Sequence, residues 1–260
     1  MNERKREVSM CERQHGFSDL RKRGFAVSCT LLMALGAMTV ISSSFATNAA
    51  AGAPYWKVVK VPVDRVMSQK PYGILTCKCS ILKLMNDGNN QYDWYAYELR
   101  VETLPGCAKW AGIGSPWQTH HAGMNFVVYD TTAGRDLYDK DPTDSIGWDS
   151  GTAQASVNIG LNLGVSAGIS YSFSIAWVNV QDKSSMPDDK AGWRVDFNTI
   201  HSPSKNSYWF KPAFIEMTND DKKSVCEGNL HVTWCNPNTG NTIEFDQVSF
   251  YWDVLYKGDT

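Results

Sequence analysis

Charge is scarce and nearly balanced: 25 Lys and Arg stand against 27 Asp and Glu in 260 residues, a formal net charge of −2. With no basic excess to track a phosphate backbone, nucleic acid is excluded as a partner. Proline (10) and glycine (20) are at ordinary levels, which excludes collagen-like and disordered classes. Helical periodicity is nearly absent, and there are no internal repeats or low-complexity linkers. Histidines number only five, without the H-E-x-x-H spacing of a zinc hydrolase. His120 and His121 are adjacent and would face opposite ways in a strand, while His201 and His231 are isolated. The cysteines lack the pair of C-x-x-C motifs that a zinc ribbon needs.

Two stretches lack charge altogether. The first, residues 24–56, follows 23 residues that hold seven Lys or Arg and four acids. A basic start, an apolar run over 25–41 and Ala-x-Ala sites predict a secretory signal cleaved near 46–53. That leaves 1–53 as leader and 54–260 as one domain, secreted or at the cell surface, with a net charge of −5 once residues 1–23 are gone. An uncleaved anchor is the rival reading of the apolar run. A pilin-type leader cut after Gly24 is disfavoured, because its fifth position is Cys29 rather than an acid.

Five cysteines lie beyond the leader: Cys77, Cys79, Cys107, Cys226 and Cys235. Export predicts disulfides. Cys226 and Cys235 are expected to staple a hairpin across the segment between them, and Cys107 to pair with Cys77 or Cys79. Cys77 and Cys79 share one face of an extended segment and are too strained to join each other.

Alternation with period two recurs along the chain: Tyr95, Tyr97, Leu99, Val101; Met124, Phe126, Val128; Trp193, Val195, Phe197; Val248, Phe250, Trp252, Val254. Turn clusters such as Asn86–Asn90 and Asn236–Asn241 separate these runs. The fold class read from this is all-β, a single antiparallel β-sandwich.

The second charge-free stretch, 151–181, contains the longest alternation. Its odd positions are Val157, Ile159, Leu161, Leu163, Val165, Ala167, Ile169, Tyr171, Phe173, Ile175 and Trp177, and its even positions are Gly, Ser, Asn and Ala. At about 3.3 Å per residue one strand of that length would span roughly 70 Å. Two strands joined by a turn near Gly164–Gly168 fit a small domain better. Solvent-facing strand positions usually carry charge, so the small even face is expected to lie beneath another sheet, a loop or a second copy of the chain. The alternative is membrane insertion, since a transmembrane β-strand takes about 9–11 residues, apolar toward lipid and polar toward a lumen.

Motifs for chemistry are weak. Gly164–Gly168 spells G-x-S-x-G around Ser166, but no helix-forming segment follows to make a nucleophile elbow. Glu98, Glu102, Glu216 and Asp196 are undistinguished from surface carboxylates, and no catalytic residue is assigned. Asp139, Asp141 and Asp144 are spaced like oxygen ligands of a calcium loop, although the glycine and final acid of an EF-hand are missing. Calcium is thus the one candidate cofactor.

Aromatics are abundant, with ten Trp, eleven Tyr and ten Phe. Trp177, Trp193 and Trp252 fall on apolar parities and are expected in the core. Trp110, Trp117 and Trp148 stand in loop-like contexts and, with Trp94 and Tyr95, are the candidate contacts for a glycan, protein or membrane surface. The leading functional expectation is a non-catalytic binding or assembly protein, able to associate with copies of itself through the neutral hairpin. A β-pore-forming protein that inserts 157–177 is the alternative, and a secreted hydrolase comes third.

Overall fold

Alternating apolar residues can bury one strand face at a time, and the chain uses them to build sheets. The computed structural model describes residues 52–128, 135–143, 146–147, 151–160, 166–220 and 222–257. Two compact units divide the chain, Met1–Ala51 and Gly52–Thr260. The first lies outside the described residues, and with it most of the segment expected to be a leader. In the second, β1 (Tyr55–Lys60), β2 (Arg65–Gln69), β3 (Gly73–Met85), β4 (Tyr92–Pro105) and β5 (Gln118–Val128) come first. Then follow β6 (Arg135–Asp141), β7 (Thr152–Gly160), β8 (Ser166–Ser174), β9 (Val178–Asp182) and β10 (Lys190–Phe197). The chain ends with β11 (Tyr208–Phe210), β12 (Ala213–Asn219), β13 (Ser224–Cys235) and β14 (Thr242–Val254).

All ladders between these strands are antiparallel. A seven-stranded first sheet runs β1–β3–β4–β12–β6, with β2 beside β3 and β11 beside β4. A five-stranded second sheet runs β14–β13–β5–β10–β9, and β7 and β8 form a sheet of two by themselves. The fold is an all-β sandwich of antiparallel sheets.

The main core lies between the two large sheets. Leu75, Ile81, Tyr97 and Phe214 of the first meet Met124, Phe126, Trp193, Trp234 and Trp252 of the second. Tyr97 stacks on Phe214 at 4.5 Å between ring centres, and Phe126 reaches the same Phe214 at 5.6 Å. Trp193 and Trp252 are core residues, as their parity predicts. The indole N–H of Trp193 donates to the Pro142 carbonyl at 2.9 Å, so burying it orphans no donor. Gly73 is needed where it stands, because a Cβ there would sit 2.4 Å from the Trp234 ring.

Two buried polar clusters are matched internally. Glu216 is fully buried and accepts from the Tyr97 hydroxyl at 3.1 Å, the Val225 N–H at 3.3 Å and the Ser224 hydroxyl. Lys83 and Asp93 form a buried ion pair at 2.9 Å.

The expected disulfides are corrected. Cys226 and Cys235 do not flank a loop; they lie near opposite ends of β13, roughly 30 Å apart at about 3.3 Å per residue. The segment between them continues the strand, and the hairpin turn comes after Cys235. Cys77 and Cys79 face the core from β3, whereas Cys107 lies in a one-turn helix, Gly106–Lys109, and donates to the Lys205 carbonyl. Among the described residues no disulfide joins these cysteines. Burial pushes the Cys77 thiol up to about 12, which makes it a poor nucleophile.

His121 joins three strands of the second sheet. Its Nε2 lies 2.7 Å from the Thr233 hydroxyl and its Nδ1 lies 3.4 Å from the Arg194 guanidinium. Arginine can only donate, so Nδ1 must carry a lone pair and Nε2 the proton. Burial first, and Arg194 next, lower its pKa from 6.5 to about 3. A histidine held neutral in this way stabilises the fold fully above 6.5 and loses that contribution as pH falls toward 3. Urea midpoints should therefore decline across that interval, and His121→Gln should flatten the decline; an equal decline in the variant would assign it to other groups.

Candidate functional site

The uncharged segment forms a hairpin as its alternation predicts, with Val157 opposite Ile169 and Ala155 opposite Tyr171. Odd residues of both strands therefore share one face. β7 ends at Gly160, and Ser166–Gly168 already belong to β8, which corrects the expectation of a turn near Gly164–Gly168. Leu161, Leu163 and Val165 lie outside the described residues, as do Trp148 and Asp144. Ser166 opens β8, and no helix follows it.

The two faces of the hairpin have opposite surroundings. Val157, Ile159, Ala167 and Ile169 are buried against the outer face of the first sheet, on Leu82 and Leu84 of β3, Trp94 and Ala96 of β4, and Ala213 and Ile215 of β12. Nearer the open end, Ala155, Phe173 and Ile175 reach the main core, and Tyr171 packs against both clusters. The even residues Gln154, Asn158, Gly160, Gly168, Ser170, Ser172 and Ser174 are exposed. This corrects the expectation that the small even face is covered by another part of the chain. Asn158 folds across to Gly168, where a Cβ would stand 2.0 Å from its side-chain oxygen.

Among the described residues no β-ladder ties the hairpin to either large sheet. Carboxylates from β6 hold it instead: Asp139 accepts from the Asn158 N–H at 2.7 Å, and Asp141 accepts from the Ser156 N–H. At the open end the Tyr208 hydroxyl donates to the Ser174 carbonyl at 2.6 Å. The same contacts occupy two of the three carboxylates of the calcium expectation, and the third, Asp144, lies outside the described residues. Asp139 and Asp141 belong to a strand rather than a loop, and their oxygens cap the amide edge of β7. Among the described residues no group of three His, Cys, Asp or Glu could hold a metal ion.

The expected aromatic surface is only partly there. Trp94 and Tyr95 are buried in β4, Trp94 beneath the hairpin and Tyr95 in the main core, so neither is a surface contact. Trp110 is half-buried beside the helical turn, and Trp117 packs edge-on against Tyr72 at 4.7 Å. Trp177 breaks the core expectation: alternation stops at Ile175, the chain turns, and Trp177 takes φ +63° with 41% exposure. It stacks on His201 at 3.8 Å with 6° between the planes. Together with Trp209, a residue the parity argument did not single out, it lines a groove of about 340 Å³ at the foot of β8. Three consecutive aromatics, Tyr208–Trp209–Phe210, directly after polar Asn206–Ser207, were the available signal.

No family model matches the chain, and no curated protein matches it. Among solved structures it is similar to a protein titled a pore forming protein, at 10% identity over 77% of this chain and 89% of the other, with a TM-score of 0.43. The Clostridium perfringens delta-toxin follows at 9% identity, covering 73% and 86% of the two chains, with a TM-score of 0.40. The Clostridium perfringens NetB toxin in its membrane-inserted form gives 9%, 77% and 94%, with a TM-score of 0.38.

Burial, ahead of the opposing hydrogen bonds, raises the pKa of Asp141 above its usual 3.8. A carboxyl that keeps its proton more tightly in the folded chain than in the unfolded one favours folding below 3.8, and this contribution is lost as pH rises through its raised value. Hydrogen exchange at Ser156, corrected for intrinsic rate, should accordingly show weaker protection at neutral than at acid pH. Asp141→Asn should remove that dependence, and Asp139→Ala with Asp141→Ala should speed exchange at both Ser156 and Asn158. Unchanged protection in the double variant would show that packing alone holds the hairpin.

Proposed function

We propose that this is an exported β-pore-forming protein whose hairpin, residues 152–174, leaves the sandwich and joins those of other copies in a membrane barrel. The observation that carries this reading is the hairpin's combination of independence and patterning. It is a separate two-stranded sheet, apolar on one side, uncharged on both, with its polar side already in water. A permanent sandwich strand would be laddered to a neighbour. This one is held by side chains and packing, which can be exchanged without unpicking a sheet.

Strands Thr152–Gly160 and Ser166–Ser174 each have nine residues, or roughly 30 Å at about 3.3 Å per residue, the thickness of a bilayer core. Their odd faces would meet lipid and their even faces a lumen, and neither arrangement puts a charge in hydrocarbon. One hairpin cannot span alone, since its two edges would stay unpaired in lipid; closure needs several copies. Among the described residues no helix is long and apolar enough to cross a membrane. The leader at 1–53 supports export, and the low overall charge places no barrier to approaching a bilayer.

Dye trapped in phosphatidylcholine–cholesterol vesicles should be released by the intact protein. Val157→Asp, which puts a charge on the lipid face, should abolish release. Asp139→Cys with Asn158→Cys, placed where the carboxylate meets β7, should block release when oxidised and restore it on reduction. Release that persists with the hairpin tied, or no release across several lipid mixtures, would remove the pore-forming reading.

A further inference from the structure

The groove at the foot of β8 is bounded on one side by Ser174, Ala176 and Trp177 and on the other by Asn206, Ser207 and Trp209. Its volume, about 340 Å³, is at the small end of the ligand-site range. Trp177 is its most unusual wall. A bulky residue at φ +63° is strained, and the strain is not offset by burying the ring, which stays 41% exposed. His201 stacks flat on the indole, 3.8 Å away, and fixes its orientation. The backbone is thus held in a costly conformation that presents a rigid aromatic plane at the rim of a concavity.

The chemistry of the walls selects the occupant. None of the eight lining residues is charged, so a phosphate or carboxylate would find no ionic donor there. Lys205, nearby, spends its ammonium on the Ile200 carbonyl at 3.0 Å. A quaternary ammonium is disfavoured too, because Trp209 already carries the Arg100 guanidinium at 4.5 Å and the Lys211 ammonium at 4.4 Å from its ring centre. What fits the free face of the Trp177 indole, with amide and hydroxyl groups beside it, is a neutral ring with an apolar C–H face and a hydroxyl rim. We propose that this groove is a binding site for a neutral pyranose of a cell-surface glycan.

Its position gives the site a consequence. Ser174 and Ala176 belong to the foot of the hairpin, and the buried Tyr208 hydroxyl that grips the Ser174 carbonyl at 2.6 Å comes from the opposite wall. A sugar seated between the walls bears on the joint about which the hairpin would swing. This coupling rests on the pore-forming reading; binding itself does not.

The test uses the intact protein in lipid-free solution and saturation-transfer NMR with methyl β-galactoside, methyl β-glucoside, N-acetylglucosamine and phosphocholine. At least one neutral sugar should bind, while phosphocholine should not. Trp177→Ala should weaken the sugar roughly tenfold. Ala176→Phe, which fills the groove while keeping both indoles, should do the same, and Tyr251→Ala, exposed on another sheet, should have no effect. Failure of all three sugars, binding that survives both groove substitutions, or binding of phosphocholine alone would overturn the proposal. Vesicle leakage without sugar binding removes only the groove proposal, and sugar binding without leakage removes only the pore-forming reading.

Discussion

The first sheet is apolar on both faces, and the rest of the molecule answers that constraint. Along β3 and β4 the side chains of Ile81 and Tyr97 point inward while those of Leu82, Leu84, Trp94 and Ala96 point outward. Period-two strands usually leave one face for water; these cannot. The second sheet covers the inner face, and the hairpin covers the outer one. At about 1.5–3 kcal/mol for each large apolar side chain removed from water, Val157, Ile159, Ile169 and Phe173 together hold the hairpin by several kcal/mol. Departure therefore requires something else to cover Leu82, Leu84, Trp94 and Ile215, and a neighbouring copy or a lipid surface would serve.

Electrostatics at the hairpin act in the opposite sense. Asp139 and Asp141 satisfy two amides on an edge that would otherwise be open to strand addition. Yet folding takes Asp141 partly out of water, and its raised pKa records the cost. The same carboxylate protects the edge and limits how firmly the hairpin is held. A main-chain ladder in that place would have given protection without the penalty, and a much less releasable element.

The sandwich and the hairpin were legible in the sequence because alternation is a local signal. Val157 to Ile175 kept its parity through the turn, so one face could be assigned without knowing what covered it. Its neighbours were not legible. Trp94 and Tyr95 are consecutive, so one had to face away from the core; the sequence offered surface as its destination, and only the third layer makes both buried. Cys226 and Cys235 looked like a staple because the segment between them was read as a loop, but its glycine serves packing inside a strand: a Cβ on Gly228 would stand 2.3 Å from the Phe250 ring. Asp139 and Asp141 had calcium spacing only if their segment was a loop. Trp177 fell on the right parity one turn too late, where backbone direction rather than alternation decides exposure.

The exposed face of the hairpin is built almost wholly from Gly, Ser and Asn, side chains with few torsions or none. A surface of Lys and Glu would lose rotamer freedom when confined, up to about 2 kcal/mol for each side chain immobilised. Glycine and serine have almost nothing to lose. Confining this face in a narrow lumen, or against its counterpart in another copy, would carry a small conformational-entropy cost, so the face that does least for solubility in the folded chain is also the least opposed to being enclosed.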